Sequence, residues 1–584
     1  MSSGILLKDS FKSYTYDQEK AADPRETIAR VRAKLKTVDL DILKETLRID
    51  SGRLDIPIYI SRCGKDAVEV IGTQKQMGKG GTAEQSEASA LMELVERFSF
   101  FHFIKAASFF EERYEAIRER ALPFESLALS FYDRSPELPL LRKVYDQMPL
   151  NWVWAYNLTR KKDVLVPIQW FYLIHEYNGP SAGNTLEEAI LQGLCEVVER
   201  HVSSVISHDS LLTPSIDPAS VTDPVAGELI GKFDRLGIKL FLKDFSLTTG
   251  IPTVGSLAYD PATFPEKSEI VFTAGTTTSP AKSLIRAVTE IAQLAGDFIN
   301  RTQYRPTLPK YQRLEEARYV MTAPKTVALN DLPDLAFPNM RLEIEACCEA
   351  LARIGLEVLI VNVTHPLLGI PAVYTIIPGA HFRDRTRHTG VLFHMVKLLS
   401  MLEDPEKAVR ELRKMEALFP ERYEVHFFLG YALERQDRPE EALVHFRKAL
   451  ELNPRDIDLS SIYCHIGICL KDMGEYRQAL PYLDQAKSYN EAQKEIHNVL
   501  GFCYYKLKEH HQAIEAFERA IEIDPGSGID YANIGSNLRE LGFYREAVKL
   551  YQMALELDPS LDFARDNLAK LGLMVGQEEP PSKS

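Results

Sequence analysis

The sequence predicts an α+β domain built from duplicated units, followed by an all-α solenoid of helical repeats. Three observations support this prediction. The last third of the chain repeats itself at intervals of about 34 residues, whereas residues 1–403 show no such period. That first part mixes short apolar runs typical of strands with amphipathic helices. Within it, the segments 80–97 and 183–200 resemble each other.

Composition indicates a folded protein with several domains. The chain has 584 residues, of which 45% are hydrophobic and 26% charged, and at about 100–200 residues per domain this length gives two to four domains. A net charge of −14 disfavours non-specific attraction to nucleic acid or to an anionic membrane. The sequence shows neither a secretory signal nor a run of 18 apolar residues. We therefore expect a cytoplasmic protein without direct nucleic-acid or membrane binding.

The cysteines and histidines show no recognisable pattern. Seven cysteines are scattered along the chain without a C-x-x-C pair, which argues against a disulfide framework and against a zinc site. The 14 histidines lack partners at metal-ligand spacing. We expect them to be structural.

The segment 80–97 begins with glycines and continues with the period of a helix. At about 100° per residue, Ser89, Glu93, Glu96 and Arg97 fall on one face, with apolar residues opposite. The solvent-exposed charged face of an amphipathic helix gives the same pattern. One copy therefore does not distinguish a surface from a site.

The second segment favours a site. It aligns with the first at a constant offset of 103 residues, with eight of 18 positions identical. Most identities are polar, and they repeat the glutamates and arginine of the first segment as Glu196, Glu199 and Arg200. The apolar positions are substituted more freely, the reverse of what a surface helix would preserve. We interpret the two helices as contributing four carboxylates and two guanidiniums to one shared site.

Such a carboxylate cluster requires a cation, because neighbouring carboxylates raise one another's pKa or recruit a metal. Mg²⁺ prefers oxygen ligands, and arginine binds phosphate oxygens through a fixed fork of donors. Mg²⁺ with a nucleoside triphosphate therefore fits, whereas zinc chemistry is a poor alternative.

A third predicted helix begins after Ser279, with Pro280 at its first position. It places Arg286, Glu290 and Gln293 on one face. Taken alone, an Arg–Glu pair at this spacing is more often a surface ion pair than part of a site.

A P-loop is excluded by its spacing. Gly72, Gly78 and Lys79 resemble one, but their spacing is one residue too long, and Gly80 stands where Ser or Thr is required. We expect no Walker-type nucleotide site.

The C-terminal repeats keep one register through four units. Gly430, Gly467, Gly501 and Gly535 recur at intervals of 37, 34 and 34 residues, and four alanines recur at the same intervals. Small residues at fixed points let paired helices pack closely, and proline ends the second helix in the last two units. The pattern resembles tetratricopeptide repeats over residues 404–574, with LDFARDNLAKLG as a capping helix. From residue 404 onward, 23 basic and 32 acidic residues give a net charge of −9.

The spaced motifs of the first part resemble those of the YcaO family. Three family signatures occur in order: S-x3-E-x2-E-R, G-N-T-x-x-E-A followed by E-x-x-E-R, and R-A-x-T-E-x-x-Q. The matching residues are Ser89, Glu93, Glu96 and Arg97, then Gly183, Asn184, Thr185, Glu188, Ala189, Glu196, Glu199 and Arg200, then Arg286, Ala287, Thr289, Glu290 and Gln293. Lys20 and Thr27, seven residues apart, look like a further family segment near the N-terminus.

The resemblance implies an ATP and Mg²⁺ site where these helices meet. It implies that the metal is held by Glu93, Glu96, Glu196 and Glu199. It implies that phosphates and nucleoside contact Lys20, Thr27, Ser89, Arg97, Asn184, Glu188, Arg200, Arg286 and Glu290. No catalytic residue is assigned. We predict the domains as 1–395 for the YcaO-like part, 404–574 for the repeats and 575–584 for a frayed tail.

The chemistry implied by the resemblance is activation of a peptide backbone amide. A nucleophile adds to the amide carbonyl, ATP phosphorylates the resulting oxygen, and phosphate leaves to give an azoline, a thioamide or an amidine. Phosphorylation is needed because an amide oxygen is a poor leaving group. Azoline-forming members commonly end in P-x-P-x-P, whereas this sequence continues into repeats and ends in EEPPSKS. That difference favours thioamidation, or an accessory role in methylthiolation of a ribosomal protein as implied by the similar layout of an enterobacterial family member.

The alternative hypothesis is a non-catalytic adaptor that binds nucleotide as a switch while its repeats recruit a partner. Under either hypothesis we expect a peptide or protein as substrate or client, and a protein partner on the acidic repeat array. The sequence leaves the oligomeric state open, with a homodimer as one form.

Overall fold

A computed structural model describes residues 3–50, 52–106, 109–295, 298, 308–382 and 389–575. The chain divides into two units, Met1–Val391 and Leu392–Ser584. The domain bounds drawn from the sequence, 1–395 and 404–574, stay a prediction. Of the predicted tail, residues 576–584 lie outside the described residues.

The first unit combines strands and helices, as predicted. Its strands are β1 (Leu43–Arg48), β2 (Ile58–Cys63), β3 (Lys75–Lys79), β4 (Phe110–Arg113), β5 (Pro149–Asn157), β6 (Lys162–Pro167), β7 (Pro180–Ala182), β8 (Ser215–Ile216), β9 (Lys239–Asp244), β10 (Thr253–Tyr259), β11 (Val271–Thr276), β12 (Thr326–Val327), β13 (Leu359–Asn362) and β14 (Ala372–Ile376). Its helices are α1 (Pro24–Thr37), α2 (Lys65–Ile71), α3 (Ala83–Ala106), α4 (Tyr114–Ile117), α5 (Phe124–Ala128), α6 (Leu138–Gln147), α7 (Ile168–His175), α8 (Leu186–Asp209), α9 (Pro224–Arg235), α10 (Pro280–Ala295), α11 (Arg318–Met321) and α12 (Met340–Arg353). Helix α13 (Val391–Ser400) follows at the division between the units.

The strands form three sheets, and each sheet ends at one edge in a strand that leads into a long helix. The sheet orders are β1-β2-β3, β11-β10-β9-β8-β12 and β4-β5-β13-β14-β7, with β6 paired to β5. The edge strands β3, β7 and β11 lead into α3, α8 and α10 respectively. The helices α3 and α8 carry the two similar segments found in the sequence, so α10 is a third copy of the same strand–helix unit.

The three copies share one packing pattern between strand and helix. A strand residue contacts helix residues eight and twelve positions further along the chain. A Cβ added to Gly78 would lie 2.1 Å from Ala90 N, and one added to Gly275 would lie 2.5 Å from Ala287 N. In the middle copy the hydroxyl of Ser181 donates to the Ala189 carbonyl at 2.8 Å. Only a strand residue of minimal size, or one that hydrogen-bonds to the helix backbone, permits this close approach.

The three strand–helix copies close into a ring within the first unit. Each helix packs on its own strand and also on the strand of the next unit, since α3 contacts β7, α8 contacts β11 and α10 contacts β3. Hydroxyl side chains stand at the same place before each helix, at Thr82, Thr185 and Ser279. The hydroxyl of Thr185 accepts from the Glu188 backbone amide and caps its helix. Equivalent positions of the three helices therefore face a common centre.

The second unit is all-α, and its repeat glycines pack against large side chains of the paired helix. Its helices are α14 (Pro405–Leu418), α15 (Tyr423–Glu434), α16 (Pro439–Glu451), α17 (Asp456–Asp472), α18 (Tyr476–Tyr489), α19 (Lys494–Lys506), α20 (His510–Ile523), α21 (Gly528–Glu540), α22 (Tyr544–Leu557) and α23 (Asp562–Val575). A Cβ at Gly430 would lie 2.9 Å from the ring of Phe446, and one at Gly501 would lie 2.7 Å from that of Phe517. Helix α23 packs on α22 through Ala564, as predicted for a capping helix. The predicted fold class is confirmed.

Among the described residues, no helix has the length and apolar character needed to cross a bilayer. All seven cysteines are buried thiols.

Candidate functional site

A cavity of about 970 Å³ lies where α3, α8 and α10 meet the chain segment before α1. It is lined by polar and charged side chains of all three helices, together with Lys20 and Thr27 from the N-terminal part of the chain. The polar face predicted for residues 80–97 faces this cavity and not bulk solvent. The apolar face of the same helix is buried in a core that includes Leu91, Leu94 and Val95.

Twelve of the thirteen predicted site residues line this one cavity. They are Lys20, Thr27, Ser89, Glu93, Glu96, Arg97, Asn184, Glu188, Glu196, Arg200, Arg286 and Glu290. The remaining residue, Glu199, is fully buried beside the cavity. Gln293, which shares a face with Arg286 and Glu290, lines the cavity as well.

The ring brings equivalent positions of the three helices together. Glu93, Glu196 and Glu290 occupy the same position in the three strand–helix units, and all three line the cavity. At another equivalent position, Arg286 Nη1 donates to Gln192 Oε1 at 3.2 Å. At the first of these positions, each of the three strand–helix copies therefore contributes a carboxylate to the cavity.

Glutamates of the same helix accompany two arginines of the cavity. Arg97 lies 3.4 Å from Glu96 and 3.7 Å from Glu93. In α8, Arg200 Nε donates to Asn178 Oδ1 at 3.1 Å. These contacts limit the positions that the two guanidiniums can take at the cavity wall.

Glu199 holds two arginines from behind the cavity. Its Oε2 accepts from the Thr276 backbone amide at 3.0 Å and from Arg286 Nε at 3.3 Å. Its Oε1 lies 3.0 Å from Arg200 Nη1. The carboxylate thereby joins α8, β11 and α10. Its assignment as a metal ligand stays a prediction.

The segment around α1 is attached to the start of α8 by a chain of hydrogen bonds. The Thr27 hydroxyl donates to Asn184 Oδ1 at 3.0 Å, and Asn184 Nδ2 donates to both oxygens of Glu188 at 3.1 Å. The Ala21 backbone amide donates to Glu188 Oε2 at 2.9 Å. This network fixes the backbone next to Lys20 at the cavity wall.

Burial shifts the protonation equilibria of the cavity carboxyls. Removal from water raises the pKa of Glu93 and raises that of Glu96 well above its usual value. Burial also acts to raise the pKa of Glu290, but Lys79, Arg200 and Arg286 outweigh it and leave that pKa lowered. The site thus contains carboxyls that gain from a bound cation next to one that is already compensated.

The sequence interpretation missed Lys79, which was considered only as part of a P-loop. Lys79 ends β3, lines the cavity and forms an ion pair with Glu290. Its position one residue after Gly78, directly before the first motif helix, was the available signal. His175, which also lines the cavity, gave no signal, since an isolated histidine in an apolar run reads as core.

The donor set fits Mg²⁺ and a nucleotide. Carboxylate oxygens of Glu93, Glu96 and Glu196 are the hard ligands that Mg²⁺ prefers. Arg97, Arg200 and the ammonium of Lys20 line the same cavity and are of the residue types that would donate to phosphate oxygens. The buried carboxyls with raised pKa would be stabilised in their charged form by the metal.

Comparison with known proteins agrees with this chemistry. A family model described as YcaO cyclodehydratase, ATP- and Mg²⁺-binding, matches residues 77–381, and tetratricopeptide repeat models match residues 423–492, 495–527 and 531–561. An uncharacterized protein of Methanothermobacter thermautotrophicus is 29% identical over 385 residues, covering 62% of this chain and 94% of that protein.

Two further similarities cover a smaller share of the other protein. The ribosomal protein S12 methylthiotransferase accessory factor YcaO of Escherichia coli is 31% identical over 210 residues, which cover 32% of this chain and 35% of that protein. A solved structure described as a heterocyclase in complex with substrate and cofactor aligns with a TM-score of 0.52 and 22% identity. The alignment covers 68% of this chain and 57% of that one. The latter likeness is one of fold.

Proposed function

The chain belongs to the YcaO family, whose cofactors are ATP and Mg²⁺, and on that premise we propose that it activates a backbone amide of a peptide or protein by phosphorylating the amide oxygen. The observation that carries the proposal is the single cavity in which three helices place carboxylates beside arginines. Such a site suits phosphoryl transfer, where catalysis depends mainly on positioning and on charge stabilisation.

Different residues of the chain bind the metal and the phosphates. We assign metal binding to Glu93, Glu96 and Glu196, which face the cavity. Arg97 and Arg200 hold the phosphates in a fixed orientation, because carboxylates and amides restrain their guanidiniums. When bound, MgATP supplies the phosphoryl group that turns the amide oxygen into a leaving group.

Residues that contact these arginines and the cavity wall keep the arrangement rigid. Glu199 sets the positions of Arg200 and Arg286 together, and the Thr27–Asn184–Glu188 network fixes the wall beside Lys20. Restraint of this kind reduces the reorganisation needed when charge develops on the transferring group.

Within this function, we propose thioamidation, heterocyclisation or a related protein modification. The similarity to the E. coli accessory factor supports a role beside ribosomal protein methylthiolation as one form of it. We propose that the repeats of the second unit recruit the protein partner. The repeat array has a net charge of −9, and an acidic surface is complementary to a basic partner.

The test uses an ¹⁸O label to detect transfer of the amide oxygen to the released phosphate. The purified full chain is incubated with Mg²⁺, ATP, a sulfide source as external nucleophile, and candidate peptides whose ¹⁸O-labelled backbone carbonyls precede Cys, Ser or Thr, and the released phosphate is analysed by mass spectrometry. Phosphorylation of the amide oxygen followed by loss of phosphate places one ¹⁸O in each phosphate released. Glu96→Gln serves as the control and should release none above background.

Phosphate without ¹⁸O, released at the same rate with and without peptide, would contradict the proposal. Nucleotide binding without any phosphate release across the panel would favour the nucleotide-binding adaptor instead.

A further inference from the structure

Three side chains capable of binding a metal converge in the second unit, in the first helices of the repeat array. They are Glu416 of α14, His426 of α15 and His445 of α16. Both histidines are buried, whereas the Glu416 side chain is 24% exposed. The cluster therefore has a dry interior and one side open to solvent.

The spacing of the three atoms is that of a metal site. Glu416 Oε1 lies 3.6 Å from His426 Nδ1 and 3.6 Å from His445 Nδ1, and the two nitrogens are 3.3 Å apart. A point equidistant from the corners of this triangle lies about 2.0 Å from each when it is in their plane and about 2.1 Å from each when it is about 0.6 Å above the plane, and these distances are bond lengths of Zn²⁺ to nitrogen and oxygen ligands. An ion could bind there with little movement of the side chains.

The remaining polar atoms of two ligands are already held in the orientation that metal binding requires. His426 Nε2 lies 2.8 Å from the Pro420 carbonyl oxygen. Because a carbonyl only accepts, that nitrogen carries the proton, and the lone pair of the neutral ring is on Nδ1, facing the cluster. Arg413 Nη1 donates to Glu416 Oε2 at 2.9 Å, so Oε1 is the oxygen that faces the histidines. Hydrogen bonds to the atoms of a ligand that do not bind the metal orient metal ligands in proteins.

We propose that Glu416, His426 and His445 bind a divalent transition-metal ion, with Zn²⁺ as the fitting case. Two imidazoles and one carboxylate suit Zn²⁺, whereas Mg²⁺ prefers an all-oxygen shell. Three protein ligands leave a fourth tetrahedral position for water on the solvent side. This site is separate from the carboxylate cavity of the first unit and differs from it in ligand chemistry.

A bound metal ion would connect α14 to the helix pair α15 and α16 that follows it. The three ligands come from α14, α15 and α16, one from each. Repeat arrays depend on contacts between neighbouring helices, so an ion shared by three helices stabilises the start of the array. It does so by binding the folded state only.

The same array provides a matched control. His497 occupies the position equivalent to His426 two repeats later, and its Nε2 likewise lies 2.8 Å from a backbone carbonyl six residues earlier, that of Glu491. The positions equivalent to His445 and Glu416 are there occupied by Ala516 and Lys487. His497 thus has the local structural role of His426 without the metal partners.

The experiment titrates metal-free full-length protein with Co²⁺ and with Zn²⁺ in excess Mg²⁺, which occupies carboxylate sites. We expect one equivalent of Co²⁺ to give the visible absorption of a four-coordinate ion, Zn²⁺ to displace it, and Zn²⁺ to raise the unfolding temperature. His426→Gln and His445→Gln should each weaken binding at least tenfold and abolish the thermal shift. His497→Gln should keep both.

Equal binding by wild type and the His426→Gln/His445→Gln double variant would overturn the proposal, as would octahedral Co²⁺ spectra in the wild type. If His445→Gln fails to fold, Glu416→Gln on the partly exposed side replaces it. Retention of wild-type affinity and spectrum in Glu416→Gln would remove Glu416 from the site and overturn the three-ligand assignment.

Discussion

At the scale of single residues, Glu199 differs from the other glutamates of the site because its charge is shared between Arg200 and Arg286. Its side chain is fully buried, and burial raises its pKa although Arg200 and Arg286 act to lower it. A neutral replacement would leave two buried guanidiniums without compensation, and loss of one partner from a buried ion pair is costly. Glu93 is one-third exposed at the cavity wall, and it does not compensate two buried guanidiniums.

We therefore predict different outcomes for Glu199→Gln and Glu93→Gln. Glu199→Gln should lower the free energy of unfolding of the first unit by about 3 kcal/mol, whereas Glu93→Gln should change it by less than about 1 kcal/mol. All three tryptophans lie in the first unit, so urea denaturation followed by tryptophan fluorescence reports on that unit. Equal denaturation midpoints for the two variants would show that Glu199 does not anchor the arginines.

His175 is a second residue whose environment has a measurable consequence. It is fully buried, stacks on Phe382, and neither ring nitrogen has a hydrogen-bond partner among the described residues. Burial lowers its pKa to about 3. The unfolded chain, with a histidine pKa of about 6.5, therefore binds this proton more readily. The contribution of neutral His175 to the free energy of unfolding is therefore fully present above pH 6.5 and is lost as the pH falls below it.

His175→Phe should remove this part of the acid sensitivity. Between pH 7.5 and pH 5.5, the wild type should lose about 1.4 kcal/mol that the variant keeps. Urea denaturation at both pH values gives the comparison. Parallel pH profiles would mean that His175 is not held neutral in the folded protein.

At the scale of elements, the ring of strand–helix units depends on small residues on the strands. A Cβ at Gly78 would lie 2.1 Å from Ala90 N and 2.3 Å from Ser86 O, both backbone atoms of α3. Neither atom can move without displacing the helix that carries Glu93 and Glu96. The position of the carboxylates thus follows from a glycine on a neighbouring strand.

Gly78→Ala should consequently destabilise the first unit by about 3 kcal/mol, the upper range for overpacked sites. Gly227→Ala is the control, because a Cβ there meets no atom within 4 Å and alanine favours the helix by up to about 1 kcal/mol. Tryptophan-monitored denaturation of both variants tests the claim. A Gly78→Ala protein as stable as Gly227→Ala would show that α3 does not depend on this close approach.

The sequence predicted two of the three strand–helix copies of the ring. The third was not recognised because few of its residues match the other two. The segments in α3 and α8 share polar identities at one offset, whereas the α10 segment matches the first at only Ser86/Ser283, Ala90/Ala287 and Glu93/Glu290. Helical period was enough to place Arg286 and Glu290 on one face. Closure of the ring depends on contacts between strands and helices far apart in sequence, and periodicity does not contain that information. The same limit applies to Lys79, whose partner is 211 residues away.

At the scale of the whole molecule, the two units carry different properties. All predicted nucleotide-site residues belong to the first unit, and the chain from residue 404 onward holds −9 of the net charge of −14. Repeat arrays are stabilised mainly by their own neighbouring units. The first unit should therefore bind nucleotide without the array.

A chain ending at residue 403, which keeps α13, should retain MgATP affinity within a few-fold while losing partner-dependent modification in cells. Calorimetry measures the first property, and mass spectrometry of proteins from cells complemented with either form measures the second. Full modification by the truncated chain would make the repeats dispensable. Loss of nucleotide binding by a folded truncation would place part of the site in the array.

The central claim is that the carboxylates of the three-helix ring form one Mg²⁺-dependent ATP site. Calorimetric titration of the full chain with a non-hydrolysable ATP analogue, with and without Mg²⁺, tests it most directly, with Glu96→Gln as the variant. We predict one bound nucleotide only when Mg²⁺ is present, and at least tenfold weaker binding by Glu96→Gln, about 1.4 kcal/mol. Nucleotide affinity that is unaffected by Mg²⁺, or unchanged in a folded Glu96→Gln protein, would contradict the account.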